Sequence, residues 1–292
     1  MLLKKVTIHK YKSFLTEQSY EVEPQITRIV GKNESGKTAL LESLAKSNYF
    51  EENDDFQFNK DLDYPRGELI KVRNENPPAI TCEYELLDYD VAAAEAAFAK
   101  GIISKRNFYV TSYYDNSHKT SGFEVDFDIF KNWLISSFGV GDQGKDLIRA
   151  SDTFSALENT VSENTTLPAM KEIQSELKKI KANAGDFEDT LAGYIYITYI
   201  VPAIPKLWYF SDYFSLPCRI NLNDFSAGQA SSSLSDEELK IANALFELSG
   251  LQLSDIQTET NFEAFKAQLE ATSNLITDDM FEYWTTNQNL EI

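Results

Sequence analysis

Apolar and polar positions alternate in several short stretches of the chain and follow a helical period in others. Residues 2–10 alternate well enough for a strand, with Leu3 or Val6 and Ile8 facing inward. Residues 18–22 predict a second strand, closed by Pro24, and residues 25–30 a third that ends on Ile29-Val30. Residues 38–45 change period: Leu40, Leu41 and Leu44 sit at helical spacing with alanine in support. Residues 79–86 return to clean alternation and predict a strand.

Residues 91–98 predict a short helix by propensity, ended near Gly101, and residues 108–114 a strand. Residues 123–130 fit a strand or a helix, whereas Ile129, Phe130, Trp133, Leu134 and Phe138 have helical spacing. Residues 151–166 are polar and give no period. Met170, Ile173, Leu177 and Ile180 mark a short amphipathic helix. Residues 191–210 are the most apolar run, but Pro202, Pro205, Lys206 and four tyrosines interrupt it, which predicts a buried strand rather than a membrane span. Residues 237–250, 262–275 and the stretch after Thr277 predict further helices, and Leu290 to Ile292 looks like the beginning of another strand.

Between the third expected strand and the first helix lies Gly31-Lys32-Asn33-Glu34-Ser35-Gly36-Lys37-Thr38, which fits G-x-x-x-x-G-K-[ST], a phosphate-binding loop. The residue types suit the chemistry. The glycines let consecutive N–H groups turn inward onto phosphate oxygens. Lys37 reaches the β- and γ-phosphates, and the Thr38 hydroxyl can ligate Mg²⁺. The phosphates would rest on the N-terminus of the following helix, where free N–H groups and the dipole favour an anion. The expected cofactors are therefore ATP and Mg²⁺.

The chain resembles the N-terminal part of the SMC, RecF and OLD-type (overcoming lysogenization defect) ATPases, which have ABC-like heads. Ile8-His9-Lys10-Tyr11-Lys12-Ser13-Phe14 matches their I-x-N-[FY]-[KR]-S-[FY] opening except that His9 stands in place of the frequent Asn, and Gly31 to Thr38 matches their G-x-N-x-[SA]-G-K-[ST] loop through Asn33. The resemblance implies an α/β P-loop NTPase: an ABC-like first lobe with a mixed sheet, an antiparallel side sheet and a helical insertion. The expected organisation is a P-loop lobe at 1–87, a mixed but largely helical insertion at 88–190, one or more returning strands at 191–225 and a helical segment at 226–292. Fewer than two heptads around Met170 cannot form a long coiled-coil arm, so the insertion is expected to be compact.

Three further segments bear on catalysis. Arg66, after Pro65, resembles a Pro-Arg of OLD-type proteins and is a candidate to reach nucleotide from the edge. Leu207-Trp208-Tyr209-Phe210-Ser211-Asp212 has the apolar run and acid of a Walker B strand, which makes Asp212 a Mg²⁺ candidate, yet Ser211 interrupts and Tyr213 follows where a water-polarising Glu belongs. The segment from Pro205 to Tyr213 resembles a different OLD-type strand more closely. Phe225-Ser226-Ala227-Gly228-Gln229 is close to the ABC signature L-S-G-G-Q, but no apolar strand ending Asp-Glu follows it. The acidic run Glu51-Glu52-Asn53-Asp54-Asp55 reads as a solvated turn. The loop is thus expected to be half of a catalytic site, completed by a dimer partner or a second lobe. In OLD-type proteins a Toprim nuclease often follows still later, so the resemblance makes a nuclease or other effector a candidate partner.

Composition narrows the partners. Of 292 residues, 42% are apolar and 25% charged, ordinary for a globular chain able to bury a sizeable core. The net charge is −19. Residues 1–50 hold eight Lys/Arg against five Asp/Glu, so they carry +3 and the remainder −22. An acidic surface argues against a broad DNA footprint on this chain and leaves a local or partner-made contact. Two cysteines, Cys82 and Cys218, form no disulfide framework and fit a reducing cytoplasm. A stand-alone kinase should carry an arginine-rich lid, but only Arg106, Arg149 and Arg219 follow Arg73. An ATP-gated assembly module without chemistry of its own is the alternative reading.

Overall fold

The computed structural model describes residues 1–209 and, beyond them, only scattered positions between 235 and 277. The chain divides into two units, Met1–Tyr209 and Phe210–Ile292. The first opens with β1 (Leu2–Ile8), β2 (Gln18–Glu21), α1 (Lys37–Ser47) and α2 (Lys60–Asp63). It continues with β3 (Pro78–Glu85), α3 (Asp88–Ala97), β4 (Asn107–Tyr113) and β5 (His118–Ser121). Five helices follow: α4 (Phe127–Ser137), α5 (Asp142–Arg149), α6 (Phe154–Glu163), α7 (Met170–Ala182) and α8 (Thr190–Ile195).

The strands form one antiparallel sheet in the order β2-β1-β3-β4-β5. In β3 the buried positions are Ala79, Ile80, Cys82 and Tyr84, so from Ile80 onward every second residue faces the core. β1 is less regular. Leu3 and Val6 are three residues apart and would fall on opposite faces of an unbroken strand, but the register shifts between Leu3 and Lys5. That irregularity lets Val6 and Ile8 be buried while Leu3 also packs against the core. α1 contacts β1 and β3, burying Ala39, Leu40 and Ala45, while Leu41 stays 41% exposed.

The α/β architecture is the expected one, with an antiparallel sheet. Among the described residues the one parallel pairing is an isolated bridge between Tyr49 and Leu207. β4 and β5 belong to the same sheet as β1, so residues 88–190 contribute strands as well as helices. Beyond them α4 to α8 pack in succession. Met170, Ile173, Leu177 and Ile180 are fully buried, as their spacing predicts. The polar stretch from residue 151 contains α6, capped by the Thr153 hydroxyl accepting from Ala156 N–H. The ambiguous stretch at 123–130 becomes α4 from Phe127, with Asp126 as its cap on Ile129 N–H.

Two expectations are corrected. The apolar run at 191–210 begins as a helix, not a strand. Asp189 accepts from Leu191 and Ala192 N–H groups and starts α8, which passes into a π-turn at Tyr196–Ile200 and a 3₁₀ turn at Val201–Ala203. The stretch 25–30 ahead of the glycine loop is not a strand. It has no ladder partner among the described residues, and Ile26, Ile29 and Val30 are 68%, 36% and 90% exposed.

In the second unit the described positions at 238–243 and 263–277 are helical. Ser235 and Glu238 cap the first of these reciprocally: Glu238 N–H donates to the Ser235 hydroxyl, and Ser235 N–H donates to the Glu238 carboxylate. Asp212, Cys218 and the segment Phe225 to Gln229 lie outside the described residues.

Candidate functional site

The glycine loop leads into α1, the helix expected after it, but the strand expected ahead of it at 25–30 is absent. Gly36 takes φ +90° immediately before the helix, a left-handed backbone that L-side chains rarely adopt. A Cβ there would come within 3.0 Å of the Ser13 hydroxyl and 3.2 Å of the Phe14 ring, so glycine is required by conformation and by space. Glu34 is also left-handed, at φ +64°. Its neighbour Ser35 turns back, donating its N–H to the Lys32 carbonyl at 3.3 Å. The chain then enters α1 with no side-chain cap, which leaves the first-turn N–H groups available to an outside acceptor.

Lys37 donates to the Gly31 and Lys32 carbonyls, both at 2.8 Å. Its ammonium therefore lies across the loop, held by neutral carbonyls that a phosphate oxygen would outcompete, because the phosphate adds an opposite charge to the hydrogen bond. Asn33, Glu34, Ser35, Gly36, Lys37 and Thr38 line an open cavity of about 550 Å³, within the range of small-molecule sites. Gly31 and Lys32 contribute their carbonyls to Lys37 rather than lining the cavity.

The cavity has a second wall that motif reading missed. Lys12 and Ser13 line it, together with Ala39 and Glu42 of α1. The turn holding Lys12 and Ser13 is closed by reciprocal backbone bonds, Tyr11 N–H to Phe14 C=O at 3.1 Å and Phe14 N–H to Tyr11 C=O at 2.8 Å. The clue lay in the sequence all along, since Lys12 and Ser13 belong to the opening segment; only the fold brings that segment to the loop. Arg66 is elsewhere, in an exposed turn closed by Glu68 N–H donating to Pro65 C=O, and it does not line this cavity.

The chain matches the AAA ATPase domain family over residues 1–289. It belongs to that family. The AAA ATPase domain is a P-loop NTPase related to the SMC and RecF-type ATPases, and its family activity is ATP binding and hydrolysis. No curated protein matches the chain. Within this AAA ATPase domain the loop and α1 have the chemistry a triphosphate needs: a left-handed glycine, uncapped helix N–H groups and a lysine held by displaceable carbonyls.

Proposed function

We propose that this AAA ATPase domain binds ATP·Mg²⁺ at the Gly31 to Thr38 loop and hydrolyses it only when another segment or subunit completes the site. In this reading the Lys37 ammonium, the glycine loop and the free N–H groups in the first turn of α1 hold the phosphates, and the Thr38 hydroxyl holds Mg²⁺. The observation that carries it is the Lys37 ammonium held on the Gly31 and Lys32 carbonyls beside an uncapped helix start that follows a left-handed Gly36. Among the described residues lining the cavity, Glu34 and Glu42 are the carboxylates, and neither follows an apolar strand as a water-activating acid does in P-loop ATPases. The exposed apolar stretch at 25–30 leads straight into the loop and is suited to pairing with a strand from elsewhere. That supports completion from outside the first unit.

The activity so driven is proposed to be DNA-directed, repair or antiphage defence of the OLD type, in a cytoplasmic dimer or larger assembly with a nuclease or other effector. Among the described residues no helix is long and apolar enough to cross a membrane. The test is calorimetric titration with Mg·ATP, paired with a turnover assay with and without duplex DNA. Lys37→Ala should weaken ATP binding by at least about tenfold, the loss of a charge-assisted contact of about 1.5–3 kcal/mol. Unchanged affinity would show that the loop does not bind phosphate. If the chain by itself turns ATP over at the rate of a completed head, the half-site reading is wrong, and Asp212 or the Phe225 to Gln229 segment becomes the place to look. Binding without turnover under every condition would favour the ATP-gated assembly module.

A further inference from the structure

The turn at Tyr11 to Phe14 brings a second cation into the phosphate cavity, and that cation already has a partner. Lys12 holds a left-handed backbone at φ +47° and is pinned there by its N–H donating to the Asp63 carbonyl at 2.6 Å. Its ammonium lies 5.4 Å from the centre of the Tyr11 ring and forms an ion pair with the Glu42 carboxylate. Glu42 stands four residues after Thr38, one turn along α1, so the two share a helix face. Lys12 and Glu42 line the same cavity as Lys37 and Thr38.

We infer that Glu42 is an internal counter-anion for the nucleotide site: it occupies Lys12 before nucleotide enters, and gives Lys12 up to the incoming phosphates. The inference rests on the phosphate-loop reading above. Magnitudes favour an exchange over a permanent lock. The Lys12 and Glu42 side chains are 39% and 26% exposed, and a pair this open shifts an equilibrium by only about 1.4- to 5-fold. A triphosphate offers several charged oxygens in place of one carboxylate, and it meets Lys37 in the same step. Glu42 is therefore strong enough to bias Lys12 and too weak to hold it. Direct repulsion of the phosphates by Glu42 would act in the same direction, but it would not depend on Lys12.

The experiment is Mg·ATP titration of the full chain and three variants: Glu42→Gln, Lys12→Met and the two combined. Glu42→Gln should tighten binding by about two- to fivefold, the size of the released pair. The gain should shrink as salt rises from about 50 mM to about 500 mM. Lys12→Met should weaken binding by about three- to tenfold. In the Lys12→Met background the Glu42→Gln gain should fall to less than half.

Unchanged or weaker binding in Glu42→Gln overturns the exchange. So does a gain kept in full without Lys12, since Glu42 would then act by direct repulsion of the phosphates. Thermal melting of each variant confirms folding, which neither side chain controls because both remain partly in solvent. Lys37→Ala separates the two levels. If it leaves ATP binding intact, the loop reading itself has failed. If it removes binding while Glu42→Gln gives no gain, only the exchange has failed.

Discussion

Lys46 occupies the last turn of α1, and its ammonium meets the Asp63 carboxylate at 2.8 Å, the two side chains 11% and 3% exposed. The same carboxylate accepts Asn59 N–H at 2.9 Å, while the Asp63 carbonyl holds Lys12. One buried acid thus ties the far end of α1 to the turn that forms the cavity's second wall. Lys46→Met should destabilise the protein by about 3–5 kcal/mol, because it strands a buried carboxylate rather than simply deleting a contact. Adding Asp63→Asn should recover more than half of that loss, which urea unfolding would show as a non-additive pair. Purely additive losses would mean the pair matters only for packing. Nothing in the sequence pointed to this pair. Lys46 and Asp63 lie 17 positions apart and belong to no motif. Lys12 and Ser13 were visible as part of the opening segment, yet their place in the cavity depends on β1 ending beside the loop. The loop itself was legible because its chemistry is local: eight consecutive residues supply the turn, the cation and the helix start.

At the scale of elements, legibility followed the environment of each face. β1, β3 and β4 could be read because a sheet with one buried side imposes a period of two on its sequence. α7 could be read because its four apolar residues form one stripe. α8 could not, since all five residues from Leu191 to Ile195 are buried and a helix buried all round has no polar face to set a period. The stretch 25–30 has the pattern of a strand, but a strand also needs a neighbour, and sequence pattern carries no information about whether one is present. Gly193 tests the α8 assignment. Helix propensity alone would make Gly193→Ala stabilising by about 1 kcal/mol. Against that, a Cβ at Gly193 would lie 2.3 Å from the Ala184 carbonyl oxygen and 2.6 Å from the Phe187 Cβ, a clash with backbone that no rotamer can relieve. Overpacking of that kind costs about 1–3 kcal/mol or more. Packing should win, so Gly193→Ala is expected to lower the urea midpoint. A higher midpoint would mean that α8 does not lie this close to residues 184–187.

For the molecule as a whole, the balance between a buried sheet and an acidic surface shows in its response to alkali. Burial pushes the Cys82 thiol up to about 11 from an ordinary value of about 9. Burial likewise raises the Tyr11, Tyr84, Tyr114 and Tyr196 phenols above their usual range. Each of these groups is neutral when protonated, so the folded state holds its proton at a pH where the unfolded chain releases it. Below about pH 9 both states keep the Cys82 proton and its contribution is full. Between about 9 and 11 only the folded state keeps it, and stability falls as pH rises, by about 2–3 kcal/mol for this thiol over two pH units. The phenols act in the same direction from about pH 10. The net charge of −19 adds self-repulsion that grows as further protons leave. Salt separates the two causes, because it screens surface repulsion and leaves the buried groups nearly untouched. The expected result is a urea midpoint that drops steeply between about pH 9 and about pH 11 and is only partly restored by about 0.5 M salt. Cys82→Ala, less stable at neutral pH for want of the thiol's packing, should show a shallower drop over the same interval. A midpoint that stays flat, or one that salt restores completely, would place the alkaline response on the surface and not in the sheet core around Cys82 and Tyr84.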